Sequence, residues 1–250
     1  MLHVDERGSG EPVVLLHGAP MAPGHLLPLA EKLAKARRAI VVHLPGYGRS
    51  SPLEPYSMDA SLAAIEDALL ARKCDEAHLI GIGHGGYRAV AIAIRKVITA
   101  RTLTVLAGGA DLTAAEASQC MQVARMFRGG IEPASFLEEF ALSPRGRERD
   151  EWVSEVRGWG HAVRTEDLAR ELESLASSAD LRPELARLDI PLLARVGSID
   201  AMCSPERTQR MLVAARRAVV EEVPGVGHAL LCEDFVSTSA SIKRHLTRAS

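Results

Sequence analysis

The chain has 250 residues, 47% of them apolar and 25% charged, with a formal net charge of −2. That fits one large domain, or one carrying an inserted lid, and gives no reason to expect nucleic acid or an anionic membrane as partner. No apolar run approaches the roughly 18 residues needed to cross a bilayer, and Met1–Arg7, with Asp5 and Glu6, lacks signal-peptide character.

The four cysteines, Cys74, Cys120, Cys203 and Cys232, are scattered, with no C-x-x-C and no histidine at metal-ligand spacing. The expectation is a reduced, cytoplasmic protein with no metal and no cofactor.

Residues 2–7 read as a strand, turned by Gly8-Ser9-Gly10 into a second over 12–16. The run Val13-Val14-Leu15-Leu16 is continuously apolar, as in a strand covered on both faces. A helix is expected over 23–37, a buried strand over 39–43, and a loop at Pro45-Gly46-Tyr47-Gly48-Arg49-Ser50. Ser57 or Asp59 caps the next helix, which runs to about residue 73 with Leu62, Ile65, Leu69 and Leu70 on one face. A strand over 76–82, a helix over 84–97 and a strand over 102–106 continue the alternation. The pattern predicts an α/β fold with a mostly parallel, doubly wound sheet.

Residues 111–188 break the alternation with four helical patterns (113–127, 134–142, 147–156 and 165–178), punctuated by Gly129-Gly130 and by Gly158 and Gly160. They read as a helical cap inserted into a core made of 1–110 and 189–250. A strand over 190–196, a helix over 204–216, a strand over 218–223 and a helix over 233–247 complete the chain.

The stretch His78-Leu79-Ile80-Gly81-Ile82-Gly83-His84-Gly85-Gly86 is a short apolar strand entering a glycine-dense turn with a helix behind it. In a G-x-S-x-G elbow a serine stands at the tip of such a turn. Gly81 and Gly85 occupy the flanking positions and Gly83 the nucleophile position. Gly81, Gly83 and Gly86 also satisfy G-x-G-x-x-G, but the following strand ends in Leu106-Ala107 rather than in an acidic residue, which disfavours dinucleotide binding.

In four ordered features the chain resembles the α/β-hydrolase superfamily. Leu16-His17-Gly18 looks like its oxyanion loop. Leu44-Pro45-Gly46-Tyr47-Gly48-Arg49-Ser50 looks like its D-x-x-G-x-G-x-S loop, with His43 in place of the aspartate. The elbow follows, and then Asp200 and Gly227-His228 stand at the acid and base positions, in the chain order of this fold. The resemblance implies that His228 is a general base oriented by Asp200, with Asp111 an alternative acid position, and that the backbone N–H groups of Ala19 and His84 form an oxyanion hole. His17 is expected to be structural. Ser50, Ser51, Cys203 and Ser204 lack the strained elbow that exposes a nucleophile.

Four readings remain open at this point. One is a hydrolase of a small, largely apolar ester, lactone or activated carbonyl compound that uses the His228–Asp200 dyad without a serine. Another is base-driven chemistry by a lyase, cyclase or cofactor-free dioxygenase. The others are a non-enzymatic relative and a Ser-to-Gly variant of a serine hydrolase. Met121, Met126, Phe127, Phe136, Phe140, Trp152 and Trp159 give the cap its apolar content. The expected partner is a small molecule, and oligomeric state is not readable.

Overall fold

A computed structural model describes residues 1–249. Seven strands form one sheet: β1 (Val4–Arg7), β2 (Pro12–Leu16), β3 (Arg38–Val42), β4 (Glu76–Ile82), β5 (Thr99–Leu106), β6 (Leu192–Gly197) and β7 (Ala218–Val223), in spatial order β1-β3-β2-β4-β5-β6-β7. β1 pairs antiparallel with β3, and every other neighbouring pair is parallel. The parallel α/β architecture expected from the sequence is the one found.

The continuous apolar runs are explained by burial on both faces. Val14 and Leu16 of β2 point into one core with α2 (Met58–Leu70) and α3 (His84–Arg95). Val13 and Leu15 point into a second core with α1 (Leu27–Leu33), completed near the end of the chain by Ile242 and Leu246. Because side chains alternate along a strand, a run with no polar face requires cover on both sides.

Between β5 and β6 lie α4 (Ala114–Arg128), α5 (Pro133–Phe140), α6 (Asp150–His161), α7 (Thr165–Ala176) and the single turn α8 (Arg182–Leu185). α9 (Pro205–Ala214) follows β6, and α10 (Leu230–Glu233) and α11 (Phe235–Leu246) follow β7. Among the described residues no helix is long and apolar enough to cross a membrane.

Three expectations needed correction. The helix over 23–37 is a 3₁₀ turn, Pro23–Leu26, followed by α1, because Pro28 cannot donate to the preceding turn and sits in the first turn of a new helix. The final helix, expected over 233–247, starts two residues later at Phe235, because Asp234, with a φ of −141°, is not helical and separates it from the turn α10. Gly158 and Gly160 lie inside α6 instead of ending it. A Cβ on Gly160 would come within 2.3 Å of the Ala134 nitrogen, so this glycine lets α6 close against α5.

Candidate active site

The central strand β4 carries Gly83 at its carboxyl end, where the chain turns directly into α3. Gly83 has φ 54° and ψ −118°, a backbone state that costs a residue with a Cβ on the order of 1–3 kcal/mol. The turn is held by hydrogen bonds from the Gly83 N–H to the Leu106 carbonyl (2.9 Å) and from the Gly86 N–H to the Gly83 carbonyl (3.0 Å). It also needs small neighbours: a Cβ on Gly85 would meet the Leu16 carbonyl oxygen at 2.2 Å.

His228 lies in the loop after β7 and is buried. Its Nε2 lies 3.2 Å from the point where a Cβ on Gly83 would stand, and its Cε1 lies 3.5 Å from it. Nδ1 faces Asp200, 2.8 Å from Oδ2 and 3.1 Å from Oδ1. Asp200 Oδ1 also accepts the N–H groups of Met202 (2.9 Å) and Cys203 (2.8 Å), which fixes the carboxylate from behind. With a carboxylate at Nδ1, the tautomer is Nδ1–H, and Nε2 presents its lone pair to the elbow tip.

Ala19 follows β2, beside the elbow: a Cβ on Gly18 would be 2.7 Å from the Ile82 carbonyl oxygen and 3.4 Å from the His84 nitrogen. Among the described residues neither the Ala19 N–H nor the His84 N–H finds an acceptor. His84 is the first residue of α3, where free N–H groups and the helix dipole favour negative charge.

The other sequence-selected residues are engaged elsewhere. The Asp111 carboxylate meets Arg210 (2.9 Å) and Arg182 (3.7 Å) rather than His228. His17 donates from Nδ1 to the Gly18 carbonyl (3.0 Å) and accepts the Leu44 N–H at Nε2 (3.2 Å); burial lowers its pKa to about 4 and keeps it neutral. Ser50 donates to the His43 carbonyl and accepts the His3 N–H. Burial pushes the Cys203 thiol up to about 12, so it is no thiolate. His43 accepts the Arg49 N–H at Nδ1 and donates from Nε2 to Asp5 of β1 (2.8 Å), so a carboxylate from an edge strand backs the loop in which the sequence has none.

One feature was invisible in the sequence. Arg88 of α3 and Glu171 of α7 form a buried pair at 2.8 Å, 0% and 1% exposed. Tyr56 accepts from Arg88 Nη2 at 2.7 Å, and His84 Nδ1 lies 3.8 Å from Glu171 Oε1. Burial opposes the charge on Glu171, but Arg88 and His84 hold its carboxyl well below the usual range. In the sequence both residues look like surface charges on amphipathic helices.

Among the described residues two side-chain groups bring potential metal ligands within 4.8 Å of one another: His3, Asp5 and His43, and His25, Glu155 and Cys232. Asp5 of the first is already paired with Arg49. In the second, His25 packs edge-on to Trp159 with its ring centroid 4.0 Å away.

Residues 13–234 match the family model described as "Alpha/beta hydrolase family". A pimeloyl-[acyl-carrier protein] methyl ester esterase from Shewanella sp. (strain MR-7) is 28% identical over 239 residues, covering 91% of this chain and 88% of that protein. A 2-hydroxy-6-oxononadienedioate/2-hydroxy-6-oxononatrienedioate hydrolase from Dechloromonas aromatica is 33% identical over 118 residues, covering 43% of this chain and 40% of its own. Among solved structures, a thermophilic esterase from Thermogutta terrifontis superposes with a TM-score of 0.90 at 22% identity, covering 99% of this chain and 93% of that one. An enol-lactonase from Burkholderia xenovorans LB400 superposes with a TM-score of 0.88 at 20% identity, covering 99% and 96%.

Proposed function

The chain belongs to the alpha/beta hydrolase family, and from that premise we propose that it hydrolyses a small ester, lactone or similarly activated acyl compound by direct attack of water. The carrying observation is the aim of His228 Nε2 at the tip, 3.2 Å from where a Gly83 Cβ would stand. Nε2 removes a proton from water over Gly83, and Asp200 stabilises the imidazolium that forms. The oxygen of the water bonds to the acyl carbon, and the carbonyl oxygen takes up negative charge against the Ala19 and His84 N–H groups. As the tetrahedral intermediate collapses, the proton on His228 passes to the leaving oxygen, releasing acid and alcohol.

A glycine tip forgoes the covalent intermediate, so the substrate must bring a good leaving group or ring strain. The helices α4–α8 act as the lid over this site and supply its apolar wall. Support for ester chemistry comes from relatives named as esterases, the Shewanella protein among them.

The test is hydrolysis of p-nitrophenyl acetate and butyrate. His228→Ala should lower kcat/KM by about 100-fold or more, the scale of general base catalysis. A His228→Ala protein as active as the unmodified one would sink the dyad mechanism. Gly83→Ser should create a tip that a fluorophosphonate probe labels, and a folded Gly83→Ser protein that stays unlabelled would show that the base is not aligned on the elbow.

A further inference from the structure

Among the described residues three arginines are buried: Arg88, Arg195 and Arg207, at 0%, 6% and 5% exposure. Arg88 is neutralised by Glu171, and Arg195 by Glu221 and Asp234. Arg207, on α9, differs. Among the described residues it meets no carboxylate; its Nε donates to the Asp111 backbone carbonyl at 3.0 Å, and its Nη2 is buried with no partner at all. Of the nearby carboxylates, Asp111 Oδ2 and Glu116 Oε2 meet Arg210, at 2.9 and 2.6 Å, and Asp200 meets His228; Asp111 Oδ1 is buried without a hydrogen-bond partner and makes no ion pair with Arg207. A desolvated guanidinium with no direct ion pair is costly, and an anion that reaches it gains by pairing with it.

The position of Arg207 says which anion. A Cβ on Gly108 would lie 2.9 Å from the Gly83 carbonyl oxygen, and one on Gly109 2.9 Å from Arg207 Cγ and 3.1 Å from its Nε. The elbow tip and Arg207 are therefore separated only by the Gly108-Gly109 turn that follows β5. With Nε occupied, the two terminal nitrogens remain, a fork that matches the two oxygens of one carboxylate.

We propose that Arg207 is the anion anchor of the substrate site, and that the ester cleaved over Gly83 carries a free carboxylate on its acyl chain. This rests on the ester-hydrolase reading above, and it narrows the substrate class to half-esters, lactone acids or related monoacyl derivatives of dicarboxylic acids.

Two measurements test it. The first compares p-nitrophenyl butyrate with the mono-p-nitrophenyl esters of succinic, glutaric and adipic acid. At least one acid ester should exceed butyrate in kcat/KM by about 10-fold or more, mainly through KM, the scale of a charge-assisted hydrogen-bond pair. Arg207→Met should bring that ratio to near 1, with Arg207→Lys in between. The second measures binding of succinate, glutarate and adipate by thermal shift and calorimetry, which needs no turnover: one of them should raise Tm in the unmodified protein and not in Arg207→Met. Dicarboxylate binding that depends on Arg207, with no ester cleaved, would uphold the anchor and overturn the reaction. Esters cleaved without preference for any acid ester, or a preference that survives in Arg207→Met, would overturn the anchor and leave the reaction standing. Should Arg207→Met fail to fold, the substrate ratio in the unmodified protein and in Arg207→Lys decides.

Discussion

Gly83 has the backbone geometry of an elbow tip and no side chain. Its φ of 54° is one that a glycine adopts freely and any other residue adopts under strain. A serine in that conformation would store strain at the tip, whereas the glycine stores none. Gly83→Ala should therefore be destabilised by about 1–3 kcal/mol in a chemical-denaturation experiment, since the new Cβ would also press on His228 Nε2 at 3.2 Å. An alanine variant as stable as the parent would mean that the turn relaxes more easily than its hydrogen bonds to Leu106 and from Gly86 imply. The elbow was legible in the sequence because glycines at 81, 83 and 85 have few other reasons to stand together after an apolar run. Arg207 was not. In the sequence it lies among Glu206, Gln209 and Arg210 on an ordinary amphipathic helix, and nothing there distinguishes a guanidinium facing solvent from one facing the interior.

At the scale of elements, the connection between α7 and the elbow helix α3 is electrostatic at its centre. Removing one charge of the Arg88–Glu171 pair leaves the other buried and uncompensated. Glu171→Gln is expected to cost about 3 kcal/mol or more, and Arg88→Met combined with Glu171→Leu should recover most of that loss. A double variant no better than the single would show that Tyr56 and His84, which also touch this pair, carry the stability instead. Helix positions were readable from apolar spacing, but helix contacts were not. Gly160 looks like a terminator in one dimension and is a contact point in three, because only the fold reveals that the Ala134 backbone lies against it. The single turn α8 escaped notice because four residues are too few to show a helical period.

For the whole molecule, burial has made several histidines neutral. His17 titrates at about 4 and His25 at about 3 because their charged forms are desolvated, against 6.5 for an ordinary imidazole. The unfolded chain binds protons at these sites below pH 6.5 and the folded chain does not, so stability rises with pH through that window. The contribution is complete above pH 6.5 and is lost progressively as pH falls towards 4 and 3. Each site is worth about 3 to 5 kcal/mol when it is forced to charge. Tm should be lower at pH 5 than at pH 7.5, and His25→Phe should flatten the slope; an unchanged slope in that variant would place the acid sensitivity elsewhere.

The one-way direction of six of the seven strands has a further consequence. Gly18, Gly83, Gly108, Asp200 and His228 all follow carboxyl ends of strands. The opposite edge carries ion pairs such as Arg101 with Glu11 (2.6 Å) and Glu76 (2.8 Å). The candidate site and these ion pairs thus lie at opposite ends of the same strands, so a mutant library can vary one while the other stays fixed.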